Sequence, residues 1–308
     1  MVSGPVRPGQ PAAGRMRIPI WLLDAVAVIP RPEPKEAMAG LVSEPTQRHP
    51  AHPTMPSSSD ETVRAAPPKA EAFYAESLRL LKKSRIPFLV AGTFAVTAHT
   101  GLQRPTKDLD VFCRAGDYLR ILTHFQNLGY KTEVEDERWL AKVRQGRFFF
   151  DVIFNSTAAV APITDQWFAE SYTARIYGTQ VQIVAPTELI WSKAFVQDRN
   201  RYDGADIAHV ILKQHENIDW RRLLSYMDQY WEVLLIHVLN FRFVYPTERD
   251  RIPRWLFDEL VARLKERANL PIPQVKVCRG RLLSRSDYAV DCTEWGFVDT
   301  LADGKLGR

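Results

Sequence analysis

An aspartate in the middle of a strongly β-prone run constrains the fold more than any other feature of this sequence. Asp151 lies within Phe148-Phe-Phe-Asp-Val-Ile-Phe154, where aromatic and β-branched residues predict a buried strand. A buried carboxylate without a partner is energetically costly. The fold must therefore bring other polar groups or a cation to this strand.

A second acidic feature is Lys107-Asp-Leu-Asp-Val-Phe112, which predicts a strand beginning at Asp108. Residues two apart in a strand point to the same face. Asp108 and Asp110 therefore project together, while Leu109 and Val111 face the core on the other side. Two carboxylates on one face repel each other unless a cation neutralises them, so this strand also requires positive charge nearby.

The three acids converge if their two strands are neighbours in one sheet. Asp151 can then approach Asp108 and Asp110 within ~5 Å, and oxygen ligands in such a set suit Mg²⁺ or Mn²⁺. Three convergent carboxylates can hold two metal ions ~3.5–4 Å apart, a geometry used for in-line phosphoryl or nucleotidyl displacement. The structural alternative is that Asp108 and Asp110 start a surface strand and pair with Lys107 and Arg104.

The spacing of apolar residues predicts an α/β (α+β) core at residues 70–185, followed by a helical region at 186–308 with an irregular tail. The predicted strands are 88–91, 108–113, 130–135, 139–143, 147–154 and 181–184. The predicted helices are a first one beginning near residue 70, then 94–100, 117–128, 186–197, 203–214, one or two within 220–244, and 253–267.

The first 68 residues are rich in Pro, Ala and Ser, and they predict a mostly disordered leader. Residues 18–29 faintly resemble a signal peptide, but Pro19 and Asp24 interrupt the apolar run. No stretch is apolar enough to span a membrane. Three cysteines without CxxC spacing argue against a disulfide framework and a structural zinc site, and they favour a reducing, cytoplasmic setting.

Three segments together resemble the DNA polymerase β-like nucleotidyltransferase superfamily. They are residues 88–96, which contain the Gly92-Thr93 turn, residues 99–112 with the acid-x-acid strand, and residues 149–154 with Asp151. Among its members, the chain looks closest to AbiE-type toxins and related bacterial nucleotidyltransferase-like proteins. The resemblance covers roughly residues 72–215. It departs from the superfamily pattern at Thr93, where Ser or Gly is usual.

The resemblance implies a nucleotidyltransferase core with a mixed sheet, in which Asp108, Asp110 and Asp151 are the catalytic residues and the ligands of Mg²⁺ or Mn²⁺. The expected reaction moves a nucleoside monophosphate from a nucleoside triphosphate to an acceptor hydroxyl on RNA, a protein or a small molecule. The chain could then be the toxin of a toxin–antitoxin pair with an antitoxin partner. The alternatives are a catalytically idle module that binds nucleotide and metal, and a small-molecule (antibiotic) nucleotidyltransferase.

Five residues are candidates for nucleotide binding. Gly92 and Thr93 form a turn before a helix, where glycine lets backbone approach a phosphate and the N–H groups at the helix start favour an anion. Lys193 follows by the resemblance, since a lysine on this helix often reaches the triphosphate; the alternative is an ordinary surface lysine. Arg104 and Lys107 precede the acidic strand and can contact phosphate or balance the acids.

The segment 199–209 combines arginines, aspartates and a histidine. Asp203 and Asp206 are spaced as in a capping box at a helix start, which explains them without chemistry. Asp206 and His209 share a helix face but lack the third ligand of a metal site. Arg199 and Arg201 are candidates for contact with phosphate or an RNA acceptor.

Two further features have structural interpretations. His99 lies near a predicted helix C-terminus, where the helix dipole favours a cation and capping is the ordinary role. The aromatic residues of 220–257 recur at helical spacing, which indicates a core rather than a surface for stacking bases.

Overall fold

The computed structural model describes residues 68–155, 162–198, 201–280 and 282–300. Apart from Pro68, the predicted disordered leader lies outside the described residues, as does the segment at 18–29. The described helices are α1 (Pro68–Ser84), α2 (Gly92–Thr100), α3 (Tyr118–Asn127), α4 (Asp165–Ala169), α5 (Pro186–Lys193), α6 (Gly204–Gln214), α7 (Trp220–Tyr226), α8 (Trp231–Val244), α9 (Arg254–Ala268) and α10 (Arg285–Thr293). The described strands are β1 (Leu89–Val90), β2 (Asp110–Phe112), β3 (Lys131–Asp136), β4 (Leu140–Gln145), β5 (Phe148–Ile153), β6 (Tyr172–Ile176), β7 (Thr179–Ile183), β8 (Val277–Cys278) and β9 (Val298–Asp299).

The first seven strands form one mixed sheet in the order β3-β4-β5-β2-β1-β7-β6. β2 is parallel to β5 and antiparallel to β1, and β1 is parallel to β7. This arrangement confirms the predicted mixed α/β fold. Edge strand β6 was not predicted, because Tyr-Thr-Ala-Arg-Ile lacks a clean alternation of apolar and polar residues, and its antiparallel pairing with β7 comes from the adjacent turn.

One face of the sheet is covered by α1 and α3. The ring of Phe150 on β5 lies 6.3 Å from that of Phe73 on α1 and 5.1 Å from that of Phe125 on α3. Successive side chains of a strand point to opposite faces. Asp151 is therefore directed to the other face, away from these two helices.

Helices follow the sheet, as predicted, and they share its hydrophobic core. Buried apolar side chains form one cluster that runs from Ala70 to Leu260. Trp220 and Trp231 belong to this cluster, so the core interpretation of these two aromatic residues is confirmed, whereas Trp255 is 37% exposed. Among the residues described, no helix combines the length and the apolar character needed to cross a bilayer.

α5 begins at Pro186, which occupies its first turn, and ends at Lys193. The predicted end at residue 197 is wrong, because the chain folds back on itself there. Gln197 pairs with Tyr202 in an isolated bridge, and the Asp203 N–H donates to the Val196 carbonyl at 2.9 Å. This return places the start of α6 against the end of α5.

Candidate active site

The three predicted acids lie together on the sheet face opposite α1 and α3. Carboxylate oxygens of Asp108, Asp110 and Asp151 lie within 4.8 Å of one another. Asp110 and Asp151 are register partners in the parallel pair of β2 and β5. Neighbouring strands in register bring side chains of the same face together. We call this cluster the acid triad.

Asp108 reaches the triad from a position just before the strand. The predicted strand start at Asp108 is wrong, since β2 begins at Asp110. The Thr106 hydroxyl lies 3.1 Å from both the backbone and a carboxylate oxygen of Asp108 and fixes this segment. Leu109 is fully buried, so the side chains of Asp108 and Leu109 point to opposite sides as predicted, although strand pairing begins only at Asp110.

Burial and mutual repulsion make the triad unfavourable without a cation. Burial, reinforced by the charges of Asp108 and Asp151, raises the pKa of Asp110 to about 7. Burial raises the pKa of Asp151 to about 6, although the charge of Lys142 opposes this. One oxygen of Asp151, Oδ1, is buried and accepts no hydrogen bond from the described residues.

Gly92 lies directly against the Asp110 carboxylate, a contact that its place in a predicted turn did not indicate. Its φ is +56°, and a Cβ atom at this position would lie 1.7 Å from Oδ2 of Asp110. The absence of a side chain therefore makes room for the Asp110 carboxylate at the N-terminus of α2. Thr93, the next residue, is half-buried in the first turn of this helix.

A lysine opposite Asp151 was not found from the sequence. Lys142 on β4 is the register partner of Asp151, and its Nζ lies 3.5 Å from Oδ1 of Asp151 and 2.7 Å from Glu135. At 3.5 Å the contact is an ion pair rather than a strong hydrogen bond. Only the strand register could reveal it, because Lys142 is nine positions from Asp151 along a hairpin whose turn is not fixed by sequence pattern.

Two further contacts surround the segment before the triad. The buried Tyr74 hydroxyl on α1 donates to the Lys107 carbonyl at 2.7 Å. Burial, together with the charge of Asp108, raises the pKa of Tyr74 above its usual range. The side chain of Lys107 itself is exposed beside the acids.

The structure places Lys193 inside the protein, so the surface interpretation of this residue is wrong. Its side chain is 6% exposed, and Nζ donates to Asp203 and Asp206 at 2.9 Å each. Burial lowers the pKa of Lys193, but the two carboxylates outweigh it and leave the pKa raised. The lysine is therefore charged and paired.

The same contacts correct the capping interpretation of Asp203 and Asp206. Asp203 stands at the N-cap position of α6, yet among the described residues no helix N–H bonds to its side chain. Arg104 donates to Asp206 and also lies 2.9 Å from Nδ1 of His209. The guanidinium between Asp206 and His209 explains both residues without a metal ion.

His99 is a buried neutral histidine rather than a cation at a helix end. It is 3% exposed, and its Nε2 lies 2.7 Å from the Val184 carbonyl, so this nitrogen carries the proton and donates it. Burial lowers the pKa of His99 to about 4, although the bond to Val184 opposes this. The expectation that the helix dipole holds a charged His99 is therefore wrong.

The chemistry of the acid triad fits a divalent cation. Three carboxylates with converging oxygens are ligands preferred by Mg²⁺ and Mn²⁺. Oδ1 of Asp151 accepts no hydrogen bond from the described residues, and the pKa of Asp110 stays raised although the charges of Arg201 and Lys193 oppose the rise. Both observations indicate negative charge that the surrounding cations neutralise only in part. Such a set can hold metal against a phosphate group.

A family described as nucleotidyl transferases of unknown function (DUF2204) matches residues 70–238. The match covers more than half of the 308-residue chain. This chain belongs to that nucleotidyl transferase family. The matched residues contain the acid triad, the Gly92 turn and the cluster around Lys193. No curated protein matches the chain, and the closeness to AbiE-type toxins stays a prediction.

The chain has distant likeness to several solved structures. The lincosamide antibiotic adenylyltransferase LnuA, with lincomycin bound, is 16% identical at a TM-score of 0.35, covering 48% of this chain and 98% of its own. An antigenic nucleotidyltransferase-like protein from Paracoccidioides brasiliensis is 13% identical at a TM-score of 0.38, covering 59% and 91%. A putative nucleotidyltransferase from Thermotoga maritima is 11% identical at a TM-score of 0.30, covering 38% and 78%.

Proposed function

We propose that this nucleotidyltransferase moves a nucleoside monophosphate from a nucleoside triphosphate to an acceptor hydroxyl, using a divalent metal held by Asp108, Asp110 and Asp151. The observation that carries the proposal is the acid triad itself, whose oxygens lie within 4.8 Å of one another. Three clustered carboxylates repel one another and destabilise a fold unless a cation neutralises them. Such clusters are therefore typical of functional sites.

Mg²⁺ or Mn²⁺, when bound to the triad, supplies positive charge that offsets the negative charge of the triphosphate and the negative charge that develops on its phosphoryl oxygens during transfer. Asp108 and Asp110 would orient the triphosphate as ligands of the cation, and Asp151 would accept the proton of the acceptor hydroxyl. The acceptor oxygen forms its bond to the α-phosphorus as the bond from that phosphorus to the β-phosphate oxygen breaks. Pyrophosphate leaves with the electron pair of the broken bond, and most of the rate comes from positioning.

The nucleotide would lie against the start of α2 and the segment before β2. Gly92 and Thr93 offer the N–H groups of the first turn of α2 to a phosphate. The exposed Lys107 adjoins Asp108, and the half-exposed Arg104 comes from the same segment. Both are cations that suit a triphosphate.

The test compares the wild type with Asp110→Asn, each with and without Mn²⁺. It measures the melting temperature, and it measures pyrophosphate release from nucleoside triphosphates with total RNA and cell lysate added as sources of the acceptor hydroxyl. At a hundredfold excess over its Kd, Mn²⁺ should raise the wild-type melting temperature by about 5–10 °C. Asp110→Asn removes a metal ligand, so this rise and the Mn²⁺-dependent release of pyrophosphate from nucleoside triphosphates should disappear. Because the change also relieves repulsion, the metal-free variant should be at least as stable as the wild type.

Asp136→Asn is the matched control. Asp136 is paired with Arg138 in the β3–β4 turn, and that hydrogen bond lowers the pKa of Asp136 to about 2. This variant should lose stability and keep both Mn²⁺ responses. A wild type that melts identically with and without Mn²⁺ contradicts the metal site. A clear Mn²⁺ response with no pyrophosphate release from any triphosphate favours the idle binding module instead.

A further inference from the structure

The buried Lys193 connects two aspartates, and each aspartate connects it to a partly exposed arginine. Asp203 contacts Arg201, with Nε of the arginine at 3.3 Å, and Asp206 contacts Arg104. Three cations and two carboxylates leave this network with a net positive charge. It is formed by the end of α5, the start of α6 and the segment before β2, and Arg104 in that segment is four positions before Asp108 of the acid triad.

The lysine at the centre of this network cannot itself bind a phosphate while the network is intact. Its Nζ makes two 2.9 Å bonds to carboxylates, and only 6% of its side chain is exposed. The bonds from Arg201 to the same Asp203 are 3.3 and 3.4 Å, longer than those from the lysine. Asp203 is therefore bonded closely to Lys193 and more weakly to Arg201.

Arg201 has the exposure that Lys193 lacks. Its side chain is 59% exposed, and a guanidinium has five N–H donors, of which the contacts to Asp203 use two. The return of the chain described above fixes its backbone, since Gln197 pairs with Tyr202 and the Arg201 N–H donates to Asp198 at 2.8 Å.

The electrostatics agree with this placement. Burial raises the pKa of Asp110, and the charge of Arg201 is the largest of the effects that oppose the rise, followed by that of Lys193. The charges of Asp110 and Asp108 in turn contribute to the raised pKa of Arg201. These mutual effects agree with a guanidinium beside the triad, and among the described residues Arg201 makes its ion pair with Asp203 rather than with a triad carboxylate.

We propose that Arg201 binds the triphosphate of the substrate beside the acid triad, and that Lys193 is a positioning residue that acts on it through Asp203. The assignment rests on the proposed function, because it requires a triphosphate at the triad. A planar guanidinium with free donors and a weakly held carboxylate partner can exchange that partner for phosphate oxygens. Lys193 and Asp203 fix where this exchange takes place.

The experiment uses inorganic tripolyphosphate with Mn²⁺, a probe that needs no choice of base, and measures its affinity by calorimetry. Arg201→Gln should weaken binding about ten- to a hundredfold, since it removes a charge-assisted contact. Arg201→Lys should fall between that variant and the wild type, because it keeps a charge without the fork of donors. Arg201→Gln should keep the full rise in melting temperature caused by Mn²⁺ alone.

Arg138→Gln is the matched control for charge and exposure. Arg138 is 61% exposed and pairs with an aspartate two positions away, as Arg201 does, but in the β3–β4 turn. It should bind tripolyphosphate like the wild type. If Arg201→Gln lowers the melting temperature and leaves tripolyphosphate affinity unchanged, Arg201 serves only as a structural counter-ion and the assignment is overturned. If the wild type binds no tripolyphosphate with Mn²⁺, the proposed function falls as well.

Asp203→Asn tests the positioning part, because Lys193 keeps Asp206 as a partner in this variant. It should weaken tripolyphosphate binding several-fold, and the double variant with Arg201→Gln should be no weaker than Arg201→Gln alone. Effects that simply add would show that Asp203 and Arg201 act independently, which overturns the role of Lys193 and Asp203 in placing the arginine.

Discussion

Gly92 shows how strongly a single residue controls the acid triad. This position requires glycine for two reasons. Its φ is +56°, and the nearby Asp110 carboxylate leaves no space for a Cβ atom. Gly101, at the other end of α2, has a similar φ of +74° but open space around a built Cβ. The two glycines therefore separate the cost of backbone conformation from the cost of contact with the triad.

We expect Gly92→Ala to destabilise the protein by about 2–4 kcal/mol, since strained backbone and a steric clash add. Gly101→Ala should cost only the backbone part, about 1–2 kcal/mol. Because the new methyl group displaces the Asp110 carboxylate, Gly92→Ala should also lose the Mn²⁺-dependent rise in melting temperature, and Gly101→Ala should keep it. Denaturant unfolding measures the loss of stability, and thermal melts with and without Mn²⁺ measure the rise in melting temperature. Equal Mn²⁺ responses in the two variants would show that the contact is unimportant.

At the scale of elements, α5 and α6 are joined by buried charge as well as by apolar packing. Lys193 in the last turn of α5 lies between Asp203 and Asp206 at the start of α6. The charges of Lys193 and Arg201 lower the pKa of Asp203 in spite of its burial. Removing one partner of such a group leaves the others as uncompensated buried charges.

We therefore expect Lys193→Met to destabilise the protein by about 3–5 kcal/mol. The matched control is Lys213→Met, in the last turn of α6, where the lysine is exposed and the change should stay within about 0.5 kcal/mol. Urea unfolding followed by circular dichroism compares the two. A loss below about 1 kcal/mol for Lys193→Met would mean that the two aspartates find other partners or become protonated.

At the scale of the whole molecule, the described sheet and the helices that follow it share one hydrophobic core, from which we expect them to unfold together. One cluster of buried side chains passes from the sheet into α8 and α9. The connection also has polar contacts, since the Gln214 amide at the end of α6 donates to the His99 carbonyl in α2 at 2.6 Å. A ligand that binds only the sheet should therefore stabilise the distant helices.

This cooperativity predicts the response of hydrogen exchange to Mn²⁺. Amides of α8, which contribute nothing to the triad, should gain protection by the same factor as those of β5, because both exchange through global unfolding and binding stabilises only the folded state. Hydrogen–deuterium exchange with mass spectrometry measures both segments in one sample. Protection that rises in β2 and β5 while α8 stays unchanged would show that the helices unfold separately.

The local pattern of the sequence determined the acids and their facing. An alternation with period two directs Asp108 and Asp110 to one side and buries Leu109, and a lone aspartate in an apolar run marks Asp151. These inferences need only the geometry of a strand, so they could be made without knowing its neighbours. The convergence of the three acids was conditional on β2 and β5 being adjacent, which the structure then showed.

Only the tertiary structure decided which groups surround the acids. Lys142 opposite Asp151, Gly92 against Asp110 and the burial of Lys193 depend on strand register and on the return of the chain between α5 and α6. In the sequence, Asp203 and Asp206 look like ordinary residues of a helix start, because nothing within the helix reveals a lysine that approaches from another element. Charges on one element can be read from its own pattern, whereas their partners come from contacts between elements that lie apart along the chain.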